Sequence, residues 1–264
     1  GAVLQVGSQQ RSDSSFGKAA EMVRNGWIGN VHTVYARLGR FPVGKVLPEQ
    51  PIPNGFDYDR WLGPTPWYPY NKNRVKGIFG GGWRCYWEYG ARKNGDWGAH
   101  HYDIIQWALG MDHSGPGFFF PAGYNGSEYQ GCTYEDGPTV YRDHPQKMES
   151  MIEFYGDKGA IGVGRAGDLK SNPADLKNAP LSPSDVHLRA TESHHQNFLD
   201  AVRTRKRPIA DVEVGHRTAT ICHLSAISER LSWPISWNPE TEQIMGDPQA
   251  AKWLDRPRRA PYTL

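Results

Sequence analysis

Cysteine is scarce in this 264-residue chain: Cys85, Cys132 and Cys222 are widely separated and odd in number. They support neither a disulfide framework nor a CxxC-type metal site, and they leave the redox compartment open. Charge of one sign is also lacking. Thirty Lys and Arg against 28 Asp and Glu leave a formal +2, too little for a broad phosphate-neutralising surface, so we expect no nucleic-acid partner. No apolar run approaches the roughly 20 residues of a membrane helix, and we expect no membrane partner. HExxH, a GxSxG elbow and the Lys-Ser/Thr of a P-loop are all missing. Repeats and low-complexity tracts are absent as well.

What the chain has is aromatic and loop-forming: 10 Trp, 13 Tyr, 30 Gly and 20 Pro. Such surfaces suit a sugar or another polar ring, and also ordinary core packing. Residues Ala2 to Gly7 read as a buried strand with only Gly1 before it. We therefore expect a chain that starts partway into a larger fold, while the tail through Tyr262 reads as a finished end. Apolar spacing predicts helices over Phe16–Asn25, Asp96–Leu109, Thr191–Arg205, Val212–Leu231 and near Gln249–Leu254. Strands are predicted over Val31–Arg40, Gly117–Pro121, Lys147–Tyr155, Ala160–Val163 and near Ile235. A long Pro-rich loop separates Phe41 from Gly82, and Gly164 to Val186 reads as irregular. This order predicts an α+β fold with a largely antiparallel sheet.

The sharpest local pattern is Asp96-Trp97-Gly98-Ala99-His100-His101-Tyr102-Asp103. On a helix, Asp96, His100 and Asp103 fall on one face, and a carboxylate beside an imidazole raises its pKa toward general acid/base use. Gly98 leaves room for a close approach between them. The same spacing also describes a helix start with Asp96 as N-cap and a packed histidine one turn on. His194, His195, His216 and His223, with His100 and Asp103, contain the residue types of a zinc or manganese site, but no tight ligand spacing supports one, so no metal ligand is assigned. Gly162-Val163-Gly164-Arg165-Ala166-Gly167 matches GxGxxG literally. No amphipathic helix follows it, so we do not read it as a dinucleotide site.

Four stretches carry a resemblance: residues Val3 to Arg11, Asp57 to Pro64, Asp96 to Asp103 and Pro208 to Arg217. They resemble the C-terminal half of the Gfo/Idh/MocA family of NAD(P)-dependent sugar and polyol oxidoreductases, especially a bacterial branch whose members often carry export signals. The resemblance implies an open, mostly antiparallel sheet packed on helices, with residues 30–264 as the substrate and oligomerisation domain. Residues 1–29 would be the strand–helix end of a Rossmann domain. It implies Asp96 and His100 as catalytic residues, His100 taking the hydroxyl proton while Asp96 orients it. Gln10 and Arg11 would approach NAD or NADP, and Arg84, Trp87, Asp103 and His195 would form the substrate rim.

By the same resemblance, the partners are a sugar or polyol and further copies of the chain docked through the open sheet. The glycine-rich fingerprint and a catalytic lysine would belong to the upstream half, so this chain is expected to be incompetent alone. Any leader would lie upstream too, leaving bacterial cytoplasm and periplasm both open. Two other functions remain in view: glycoside cleavage, dependent on NAD or a metal, motivated by paired Asp96 and Asp103; and a non-catalytic sugar-binding remnant.

Overall fold

In the computed structural model, residues 1–40, 42–188, 191 and 193–262 are described. Phe41, at the head of the expected loop, and Glu192, near the start of an expected helix, lie outside them. Among the described residues, nine strands form one sheet: β1 (Val31–Ala36), β2 (Phe118–Phe120), β3 (Gly131–Thr133), β4 (Thr139–Arg142), β5 (Ile152–Gly156), β6 (Gly159–Val163), β7 (Leu169–Asn172), β8 (Ile235–Asn238) and β9 (Gln243–Met245). Their spatial order is β7-β6-β5-β1-β4-β3-β2-β8-β9. Only the β1–β4 pair is parallel, with Thr33 opposite Thr139, and the other pairs are antiparallel. The fold is the expected α+β architecture with an open, mostly antiparallel sheet.

Three long helices cover one face of it: α1 (Ser14–Arg24), α5 (Gly98–Leu109) and α7 (Val212–Leu231). Phe16, Ala20, Val34, Ile104, Phe119, Phe154, Ile161 and Ile221 meet in a single core, each at most 1% exposed. On β1, Val34 and Ala36 point into this core, whereas Thr33 and Tyr35 stay half-buried on the opposite face. There Tyr35 stacks on His144 and tilts against Tyr155. The helix ends follow local chemistry. Asp13 caps α1 by accepting from Ser15 and Phe16 N–H, and Asp211 caps α7 by accepting from Glu213 and Val214 N–H.

The remaining helices are α2 (Tyr58–Leu62), α3 (Lys72–Val75), α4 (Arg92–Asp96), α6 (His194–Thr204) and α8 (Pro248–Ala251). The first two lie inside the Pro-rich stretch, which carries its own small core of Tyr58, Leu62 and Tyr70.

Four expectations need correction. Residues 2–7 are not a strand: one backbone bond, Val6 N–H to Ala210 carbonyl at 2.8 Å, ties the segment down, and Leu4 is 52% exposed. The strand predicted to Arg40 stops at Ala36, because Leu38 and Gly39 N–H turn to the Asp143 carboxylate at 2.7 Å. The strand expected from Lys147 starts only at Ile152, because the N–H groups of Lys147, Met148 and Ser150 gather on the buried Glu153 carboxylate. Within the stretch read as irregular, Leu169–Asn172 pairs with β6 as β7.

Candidate functional site

The Asp96–His100 segment is not one uninterrupted helix. α4 ends at Asp96, Trp97 links the two helices with φ −73° and ψ −31°, and α5 starts at Gly98 with no side-chain cap. Asp96 is therefore not an N-cap. His100 N–H bonds to the Trp97 carbonyl at 3.0 Å, a tightened turn that loosens the expected four-residue relation to Asp96. No hydrogen bond joins Asp96 to His100 among the described residues. Asp96 Oδ1 accepts instead from Arg84 Nε at 3.4 Å. Asp96 Oδ2 and His100 Nδ1 are both buried and without a partner.

The expected rise in the His100 pKa is reversed. Burial of the imidazole and the nearby Arg165 pull it below the ordinary value, outweighing Asp96. Arg165 was not singled out in the sequence. It comes from the turn between β6 and β7, in the GxGxxG stretch, where Gly164 N–H bonds to the Asp168 carbonyl at 2.9 Å. The stretch forms the hairpin turn joining β6 to β7, and it delivers a cation beside His100 and 5.3 Å from the Trp97 ring centre. Lys93, 7% exposed, also approaches that ring, its Nζ 4.1 Å from Trp97 and 4.9 Å from Phe79. Burial chiefly lowers its pKa. A charge run in sequence discloses neither arrangement.

The room at Gly98 is filled by protein. A Cβ there would meet the Tyr102 ring at 3.1 Å and Cys222 Sγ at 3.3 Å, so the glycine serves the packing of α5 on α7.

Asp103 and Arg11 are corrected together. Asp103 is fully buried and faces Arg11 Nη2 at 2.9 Å; Arg11, 1% exposed, also holds Asp112 at 2.7 Å. Burial opposes charge on Arg11, but its two carboxylates keep the guanidinium protonated. Neither side chain can serve a substrate rim or a cofactor, because each is spent on the other. Gln10 next door is different: it is 3% exposed, with neither side-chain amide atom partnered.

Of the remaining rim residues, Arg84 lines a cavity of about 380 Å³ together with Asp96, Trp83, Tyr89 and His223. Trp87 lines a larger groove of about 1330 Å³ along α7. His195 is exposed on α6 and lines neither. Its neighbour His194 is structural, bonded to Ser12 Oγ and the Val6 carbonyl. His216 pairs with Glu242 at 2.6 Å. Among the described residues, no three His, Cys, Asp or Glu side chains gather as metal ligands.

Residues 32–264 match the C-terminal α/β domain of the Gfo/Idh/MocA oxidoreductase family, and the chain belongs to that family. Among solved structures, it is similar to aldose-aldose oxidoreductase from Caulobacter crescentus complexed with glycerol. The identity is 14% and the TM-score 0.53, over 89% of this chain and 64% of that one. It is also similar to the WlbA dehydrogenase from Bordetella pertussis in complex with NADH and UDP-GlcNAcA. There the identity is 14% and the TM-score 0.50, over 89% of this chain and 63% of that one. At such identity the likeness shows the fold alone. The chain spans less than two-thirds of the length of either structure. None of the curated proteins compared matches it.

Proposed function

We propose that this chain forms the substrate side of an oxidoreductase acting on a sugar or polyol hydroxyl, with His100 as the acid/base. One observation carries the reading: Asp96 Oδ2 and His100 Nδ1 are buried, unpaired and set either side of one helical turn. Leaving such groups unsatisfied costs about 1–3 kcal/mol each, so they are expected where a ligand completes them. A substrate hydroxyl can do so, donating to the imidazole while a neighbouring hydroxyl donates to the carboxylate.

The lowered pKa keeps His100 neutral near pH 7 and able to accept a proton. As the hydroxyl proton moves to His100, the C–H bond of the same carbon gives up its electron pair as hydride, leaving a carbonyl. NAD or NADP, when bound, supplies the acceptor for that hydride. Gln10 fits such a group, since its buried amide offers one unpaired donor end and one unpaired acceptor end to an amide-bearing ring. Arg11 does not fit, and no phosphate-binding loop occurs at Gly162–Gly167. We assign phosphate binding to an upstream nucleotide-binding domain, of which residues 1–29 form the end. Its helix α1 shares the sheet's core through Phe16, Ala19 and Met22. The half-buried aromatic face around Tyr35 and Tyr155 is the surface we assign to self-association.

Glycoside cleavage by a carboxylate pair loses its motive, because Asp103 is committed to Arg11. The test is turnover with the nucleotide-binding half supplied, followed by nicotinamide absorbance across sugars and polyols. Oxidation that disappears in His100→Ala supports the reading, and undiminished rates in that variant overturn it.

A further inference from the structure

The larger groove is distinct from the Asp96 cavity and shares part of its wall. Trp83, Tyr89, Ala219 and His223 belong to the walls of both. Along one side, α7 contributes His216, Thr220, His223, Ile227 and Arg230, a stripe at helical three- and four-residue spacing. At 1.5 Å per residue this wall is about 20 Å long. The groove volume of about 1330 Å³ exceeds the roughly 300–1,000 Å³ of ordinary small-ligand sites. Its length suits a ligand of more than one sugar ring.

The far end has a distinct chemistry. The Trp87 ring lies 5.1 Å from the Arg230 guanidinium carbon and 4.7 Å from that of Arg256, and Arg230 is also 5.1 Å from Trp253. Arg256 donates to the Trp87 and Glu88 carbonyls through Nη1 alone, at 2.9 and 3.5 Å. Arg230 has no carboxylate partner among the described residues. Of the acids lining the groove, Glu242 pairs with His216 at 2.6 Å and Asp255 with Arg258 at 2.6 Å, while Glu88 accepts from the Tyr68 hydroxyl at 3.0 Å and acts on Arg256 as a neighbouring carboxylate. Lys252 adds a further exposed cation. Burial and the neighbouring Arg230 lower the Arg256 pKa against the pull of Glu88. His223 is open to solvent yet deep in the concavity, and burial and Arg256 lower its pKa too. Arg230 and Arg256 thus both lie against the Trp87 indole, and among the described residues neither Arg230 nor the Nε and Nη2 of Arg256 donates a hydrogen bond.

We propose that this end of the groove binds an anionic sugar unit, bearing a carboxylate or a phosphate, as the distal part of a substrate whose reacting end lies at Asp96 and His100. Arginine forks match either anion in bidentate geometry, and the indole rings offer flat faces for the sugar. The direction of the substrate rests on the proposed reaction at His100, whereas the anion site stands on the groove itself.

Calorimetric titration of the 264-residue protein with glucuronate, glucose 6-phosphate, glucose and inorganic phosphate tests this. At least one charged sugar is expected to bind ten-fold or more tightly than both glucose and inorganic phosphate, and the tighter of the two identifies the anion. Arg230→Gln, a change at an exposed position checked by circular dichroism, should weaken that binding at least ten-fold. Equal affinity for charged and neutral sugars, no binding of either charged sugar, inorganic phosphate binding as tightly as the sugar phosphate, or indifference to Arg230→Gln overturns the proposal. Intact charged-sugar binding, with no turnover of any sugar once the nucleotide-binding half is supplied, sinks the reaction at His100 and leaves the anion site standing.

Discussion

Arg11 meets Asp103 across 92 residues of sequence, its Nε 2.9–3.0 Å from both carboxylate oxygens. The contact joins the short 3₁₀ turn Gln9–Ser12 to the middle of α5, so the segment before the sheet is tied to the helix that carries His100. Asp112 closes the unit from the far side at 2.7 Å.

Asp103→Ala is accordingly expected to lower stability by about 3–5 kcal/mol, because it strands a buried guanidinium with one partner fewer. Urea unfolding followed by tryptophan fluorescence measures this. A loss below about 1 kcal/mol would mean the pair contributes little beyond packing.

Gly98 yields a second expectation. With Tyr102 and Cys222 Sγ at 3.1 and 3.3 Å from an added Cβ, Gly98→Ala forces α5 and α7 apart. Overpacking of this kind costs about 1–3 kcal/mol. Thermal unfolding should show a lower midpoint, and an unchanged or raised midpoint contradicts the close packing.

Stability should also depend on pH through His101, which is fully buried and whose pKa is pushed down to about 3, chiefly by burial, with His100 and Arg165 adding to it. The folded pKa lies below the unfolded value near 6.5. Between these values the unfolded state binds the extra proton. The stabilisation is therefore complete above pH 6.5 and lost as pH falls toward 3, by about 1.4 kcal/mol per pH unit. Urea midpoints across this range test the slope, and His101→Phe should flatten it.

Much of the fold was legible because long elements repeat their signal. α7 carries an Asp211 cap and five turns of helix, and its bounds Val212–Leu231 coincide with the prediction. β3 and β4, three and four residues long, are too short for alternation to register. Their burial comes from neighbours distant in sequence. At the site, the Asp96–His100 spacing drew attention to this segment but did not disclose the break at Trp97. Helical periodicity alone placed Asp103 beside them, although Arg11 draws it into the core. Arg165 was hidden in a motif set aside as no dinucleotide site, since the approach of a hairpin tip to α5 is a tertiary fact.

The central claim, that His100 receives the hydroxyl proton, is tested most directly by NMR titration of its imidazole, with and without a bound sugar or polyol. The account predicts a midpoint below 6.5 in the free protein, and a shift of the ring nitrogen signals when the hydroxyl compound binds. A midpoint at or above 6.5, with ring signals unmoved by any sugar or polyol the protein binds, would contradict it.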